Sequence, residues 1–263
     1  PNVKSIATYT FYNCSGLTNM VLPDSITSIG TYAFSGCSSL SSISLSANLK
    51  SIAANAFTNC NSLTKITIPD SVTSITANAF SNCPATRYAN MNSTAAVALT
   101  KAGYTFCIAE APDFMLKASE TDAVRTITVA SYENKNAVSV TIPMGVTHIG
   151  TSAFQGCSQL TSVVFPNSVV YIGTSAFESC ISLNNIILPA GLTSIYSYAF
   201  CNCSSLTSIA IPAGVTSIGS YAFSECSSLN SISLPSGLTS IGSYAFSKCS
   251  SLKNISLPSG LTT

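Results

Sequence analysis

Along most of the chain the apolar positions recur in a block of fixed length. Phenylalanine stands at Phe11, Phe34, Phe57 and Phe80, and again at Phe154, Phe177, Phe200, Phe223 and Phe246, with 23 residues between neighbours in each group. Three residues behind each comes a cysteine (Cys14, Cys37, Cys60, Cys83, Cys157, Cys180, Cys203, Cys226, Cys249). Five residues ahead comes an isoleucine (Ile6, Ile29, Ile52, Ile75, Ile149, Ile172, Ile195, Ile218, Ile241). Three columns filled in all nine copies are the signature of a solenoid, in which each repeat is one unit unable to bury its apolar face alone.

One period, from Leu229 to Cys249, predicts the elements of a coil. Ile232-Ser-Leu234 alternates apolar and polar, the period of a half-buried strand, and Pro235 ends it because proline cannot donate to a ladder. Leu238 and Ile241 dip inward again across a second short extended segment. Ala245, Phe246 and Cys249 are spaced like one helical turn, with Ser243 placed as its cap, so a short helical or 3-10 turn is expected there. Gly242, like Gly30, Gly150, Gly173 and Gly219, is expected to take positive φ at the corner. Seven buried side chains cannot offset the ordering of 23 residues, so the coils must stack, with parallel strands about 4.8 Å apart.

The pattern Leu-x-x-Ile-x-Leu-Pro-x-x-Leu-x-x-Ile-Gly-x-x-Ala-Phe-x-x-Cys resembles the leucine-rich repeats of BspA-like bacterial surface proteins. Departures are confined to single coils: Thr10 in the alanine column, Ser46 in the proline column, Thr76 and Tyr196 in the glycine column. The resemblance implies a right-handed, β-rich leucine-rich repeat superhelix. It also implies a secreted or surface-anchored protein that binds host or matrix proteins.

The periodicity breaks once. Phe80 and Phe154 are 74 residues apart, and the leucine column fails at Thr86. Residues 84–137 hold ten of the nineteen charged residues of the chain, which marks a different surface. Within them, Asn92 or Ser93 can cap a helix at Thr94–Ala102 closed by Gly103, and Tyr104–Ile108 alternates as a strand. Such a strand–helix–strand unit looks like the closing element of arrays in the same family, and a final coil needs cover for its bare apolar columns. Phe114–Lys117 and Val124–Ala130 read as a hairpin, and 137–143 re-enters the repeat. The expected organisation is a first array at 1–83, a cap at 84–110, a hairpin linker at 111–136 and a second array at 137–263. Pro1 already lies inside a repeat and Thr263 where a tenth coil would begin, so a portion of a longer protein is expected.

Composition narrows the function. Apolar residues make up 46% of the chain and charged residues only 7%, with a net charge of +1. No basic stripe is available to neutralise phosphates or hold an anionic membrane surface, so neither nucleic acid nor direct membrane insertion is expected. No run of eighteen apolar residues is present. One histidine, His148, sits where other coils carry serine and should face solvent, away from any acidic partner, so no catalytic set and no enzyme activity are expected.

Eleven cysteines raise disulfide and metal readings. Stacked side chains point in parallel, whereas a bridge needs its Cβ atoms to converge, so the nine column cysteines read as reduced core residues. Cys201 replaces a polar residue and is expected to be the most exposed thiol; Cys201-Asn-Cys203 lacks a second pair for zinc. No metal and no cofactor are expected.

Two ladders are candidate binding surfaces. Tyr198, Tyr221 and Tyr244 share a column in successive coils, as do Tyr9 and Tyr32; their phenols suit protein or sugar contacts, or simply stack and cover the corner. On the outward face of the longer strand, usually hydroxylic (Ser44, Thr67, Ser233, Ser256), three neighbours are Val164, Ile187 and Ala210. That stripe reads as an interaction site or as ordinary β-propensity. The leading expectation is a non-catalytic extracellular protein-binding or adhesion module; the alternatives are a structural spacer and a carbohydrate-binding surface module.

Overall fold

The computed structural model describes residues 3–121 and 124–262. It divides into two compact units, 1–125 and 126–263, a division inside the stretch expected to link the arrays. The chain is a parallel β-solenoid whose turns follow the 23-residue period. In the first unit Ser5–Ile6, Ser28–Ile29, Ser51–Ile52 and Ser74–Ile75 form one continuous parallel ladder, with Ile6 opposite Ile29 and Ile52 opposite Ile75. In the second unit Ser208–Ala210 pairs Ser231–Ser233 in the same register. The isoleucine, phenylalanine and cysteine positions therefore meet their own kind in the next coil.

That identity builds the core. Phe34, Phe57, Phe154, Phe177, Phe200 and Phe223 are fully buried. Their rings stack nearly parallel, with centroids 5.1 Å apart for Phe154–Phe177 and 5.5 Å for Phe177–Phe200 and Phe200–Phe223. Each such pair adds about 0.5–1.5 kcal/mol beyond the burial of its area. Phe11 and Phe246 are half-buried.

The third side of the coil corrects the expected helical turn: it is a run of hydrogen-bonded turns. In the coil at Tyr221, alternate amides close locally (Ala222 N–H to Gly219 O, Ser224 N–H to Tyr221 O, Cys226 N–H to Phe223 O). The amides between them donate to the next coil, Tyr221 to Ser243 O, Phe223 to Ala245 O and Glu225 to Ser247 O, at 2.8–3.0 Å. A helix would turn every amide inward to its own strand of chain; flipping alternate peptides gives this side a ladder as well. The flips require left-handed residues, here Tyr221 at φ 59° and Glu225 at φ 63°. The second of these columns, one residue before the cysteine, is Asn13, Gly36, Asn59, Asn82, Gly156 and Asn202 in six coils, the residue types that tolerate this region.

The glycine column is corrected too. Positive φ is found at Gly36, Gly103, Gly145 and Gly156, not at the corner glycines. Those are needed for space: a Cβ on Gly219 would lie 2.5 Å from Ser197 N, and one on Gly242 would lie 2.4 Å from Ser220 N. The left-handed residue stands two positions later, in the tyrosine column.

The segment expected to act as a cap contains a strand, a helix and a strand. The helix Thr94–Lys101 is capped by Ser93, whose side chain accepts from Ala96 N–H, and Gly103 follows at φ +87°. Thr86–Tyr88 still pairs in parallel with Lys65–Thr67 although the leucine column has failed, with Lys65 opposite Thr86, a step shortened from the usual 23. Phe106–Ile108 then pairs with Thr86–Tyr88 on one side and antiparallel with Ala111–Thr121 on the other. The strands read as a hairpin run longer than expected, Ala111–Thr121 and Val124–Tyr132; the turn at 122–123 lies outside the described residues.

Candidate functional site

The candidate residues of the second unit lie on two separate sides of the coil. Val164 ends the strand Ser162–Val164 and Ala210 ends Ser208–Ala210; both side chains are exposed. Ile187 lies between them on a stretch without strand pairing and is 80% exposed, against 59% for Val164. The outward stripe is therefore present, but its ladder is interrupted at the middle member. A cleft of about 430 Å³ opens beside it, lined among others by Ile187, Leu188, Ala210 and Pro212.

On the turn side, Tyr198, Tyr221 and Tyr244 form one stack, with centroids 4.8 and 4.9 Å apart and planes within 6° and 13°. All three sit in the left-handed region, at φ 59–60°, which aims the rings along the corner. Tyr244 is 63% exposed and Tyr221, sandwiched, is half-buried. Desolvation, and then the two flanking phenols, hold the Tyr221 hydroxyl above the usual tyrosine range. Tyr9 and Tyr32 stack alike, 5.1 Å apart. The rings do cover the corner, and their outer edges remain accessible.

His148 departs from its expected solvent-facing position. It is half-buried, its ring stacks on Tyr171 at 5.2 Å, and Nδ1 lies 2.8 Å from Thr147 Oγ1. Burial lowers its pKa. Two aromatic rings 23 residues apart stack for the same reason the tyrosines do. Among the described residues, no three His, Cys, Asp or Glu side chains are placed to hold a metal ion.

All eleven cysteines are free thiols. The expectation for Cys201 is corrected: it is half-buried, whereas Cys14 is exposed. The column cysteines do more than fill space. Cys180, Cys203 and Cys226 each donate their S–H to the carbonyl of Phe154, Phe177 and Phe200 respectively, 26 residues back, at 3.2 Å. The first unit repeats this with Cys37 on Phe11 and Cys60 on Phe34. Desolvation by burial pushes the thiols of Cys60, Cys180 and Cys226 up to about 12, and Cys203 well above the ordinary value, so none is a nucleophile at neutral pH. Nothing in the column spacing marks this bond; only the persistence of cysteine over alanine hints at a donor.

A stacked coil with parallel short strands and an apolar file at each inward position defines the leucine-rich repeat class. The chain belongs to the family of BspA-type leucine-rich repeat regions, whose model matches residues 1–105 and 125–253 in six copies. It is 32% identical to a leucine-rich cell surface protein of Faecalibacterium prausnitzii, covering 96% of this chain and 69% of that one, with a TM-score of 0.53. The pneumococcal vaccine antigen PcpA matches at 24% identity over 95% of this chain and 59% of its own, with a TM-score of 0.43. A leucine-rich repeat protein of Eubacterium ventriosum matches at 20% identity over 98% and 77%, with a TM-score of 0.45. No curated protein matches the chain. Among the described residues, no helix is long and apolar enough to cross a membrane.

Proposed function

We propose that the chain is a non-catalytic protein-binding module of a bacterial cell-surface protein, used for adhesion outside the cell, and that its second array carries the contact surface. The observation that carries this reading is the stripe Val164, Ile187, Ala210. Val164 and Ile187 leave large apolar side chains in water beside a cleft, with Ala210 next to them, in a column that is otherwise Thr141, Ser233 and Ser256 in this unit. Such side chains cost solubility unless a partner covers them. The Faecalibacterium relative, a cell surface protein by description, supports the location. The partner is a host or matrix protein. With so few charges, association should depend little on salt.

The test is a binding screen against matrix and plasma proteins using the chain and Ile187→Asp. Binding by the parent and its loss in the folded variant supports the proposal. A partner whose affinity ignores Ile187→Asp removes the stripe from it, and a chain that captures nothing is a spacer.

The tyrosine stack favours a second reading, a carbohydrate-binding surface. Tyr198, Tyr221 and Tyr244 offer phenol edges with hydroxyl groups that have no protein hydrogen bond among the described residues. Glycan-array binding lost on Tyr221→Ala would select it.

A further inference from the structure

The second unit contains one coil boundary unlike the others. In most of the array a two-residue strand ladders onto the one before it, and the residue after it donates its N–H to the preceding coil. That bond is 2.7–2.9 Å long where the donor is Gly30, Gly150, Gly173, Gly219 or Gly242. It lengthens to 3.0 Å at Ala53 and 3.1 Å at Thr76, which add a Cβ and a branched side chain to a position where a glycine Cβ meets backbone. At Tyr196 it is gone. The Tyr196 ring instead packs on Tyr171, centroids 4.7 Å apart and planes tilted by 48°.

The loss spreads over both strand sides of the same coil. Thr147, Val170, Thr216, Thr239 and Thr262 each donate N–H to the coil before, at 2.9–3.0 Å; Thr193 does not. Tyr171–Ile172 and Ser194–Ile195 therefore belong to different sheets. On the longer-strand side, residues 185–187 pair with neither Ser162–Val164 nor Ser208–Ala210. Their sequence opens with Asn184-Asn185, and asparagine, depleted in strands, fills both of these positions in this coil alone, against one at most in the others (Asn19, Asn230, Asn254). Yet the turn side is whole. Ser175 donates to Ser197 O at 3.1 Å, Phe177 to Ala199 O at 2.9 Å and Ser179 to Cys201 O at 2.8 Å, and Phe177 stacks on Phe200.

We propose that the boundary between residues 161–183 and 184–206 is a built-in hinge, at which the coils part on their strand sides while staying joined along the turn side. A ladder broken on two of three sides leaves the core contacts and the turn-side hydrogen bonds, with Ser205 N–H to Ile181 O beyond them. On the longer-strand side it leaves a single bond, from Asn184 N–H to Thr161 O, stretched to 3.4 Å, so the boundary opens before its neighbours do. Val164 and Ile187 stand on opposite sides of the hinge, so its opening sets the spacing of the residues assigned to the partner. The inference itself needs no partner.

Hydrogen exchange on the free chain tests it. Amides of 185–188 and 193–196 should exchange at least about tenfold faster than those of 208–211 and 216–219, while Ser175, Phe177 and Ser179 stay protected. Tyr196→Gly should restore protection at 193–196, and Tyr171→Ser, which removes the other ring, should do so in part. Equal protection of the two coils in the parent chain overturns the hinge, as does fast exchange that Tyr196→Gly leaves untouched. Fast exchange reaching 175–179 overturns it in favour of unfolding of the whole coil.

Discussion

If the column thiols act as donors, replacing Cys203 separates volume from hydrogen bonding. Cys203 is fully buried and its S–H reaches Phe177 O at 3.2 Å, a carbonyl that also accepts the N–H of Cys180. Cys203→Ala removes one sulfur, comparable to about 0.8 kcal/mol of apolar burial, and leaves a small cavity. It also removes a weak hydrogen bond of about 0.5–1 kcal/mol, for a total of about 2 kcal/mol. Cys203→Ser loses the sulfur but keeps a donor beside the same carbonyl, so about 1 kcal/mol is expected. If the thiol only filled space, serine would be the worse substitution, because its hydroxyl would be buried without a partner. Urea unfolding of the three chains, compared at constant m-value, gives the order directly. A serine variant less stable than the alanine variant refutes the donor column.

Other outcomes follow from the same geometry. The thiols of Cys60, Cys180 and Cys226 ionise near 12 in the folded chain and near 9.0 when unfolded. Their contribution is intact below pH 9 and lost as pH climbs toward 12, with each thiol adding about 1.4 kcal/mol per pH unit to the slope. Urea midpoints across that window should fall, and less steeply for Cys226→Ala. Gly219→Ala, whose Cβ lands 2.5 Å from Ser197 N, should cost about 1 kcal/mol in a thermal melt, since Ala53 shows that the ladder can stretch. Gly219→Tyr should break that ladder and speed exchange at 216–219 to the rate of 193–196. Ile187→Asp, at an exposed site, should move the unfolding midpoint by less than about 0.5 kcal/mol while abolishing partner binding.

Much of the architecture is written in the chain because a solenoid repeats its constraints. The Ile, Phe and Cys columns fix the period, Pro235 and its equivalents end the longer strand, and Ser93 with Gly103 bounds the cap helix. The turn side was harder to read. Ala245, Phe246 and Cys249 have the spacing of a helical turn, and a run of alternating turns gives the same inward spacing. What separates the two is the Asn- and Gly-rich column just before the cysteine, because such residues are placed for a left-handed backbone and not for a helix. The corner glycines illustrate a second ambiguity: glycine serves positive φ or close approach, and only coordinates show that Gly219 and Gly242 serve approach. At the candidate site, the stripe and the tyrosine stack were legible as columns. The half-buried stacking of His148 on Tyr171 and the broken ladder at Ile187 were not, since both depend on what the adjacent coil carries.

The most direct measurement is a crystal structure of the chain, read at the interior files. Phe154, Phe177, Phe200 and Phe223 should lie one above another, near-parallel and about 5.1–5.5 Å apart, with the thiols of Cys180, Cys203 and Cys226 each directed at the carbonyl of the phenylalanine one coil before. Phenylalanines dispersed among separate cores, or facing water, would contradict the winding and every assignment built upon it.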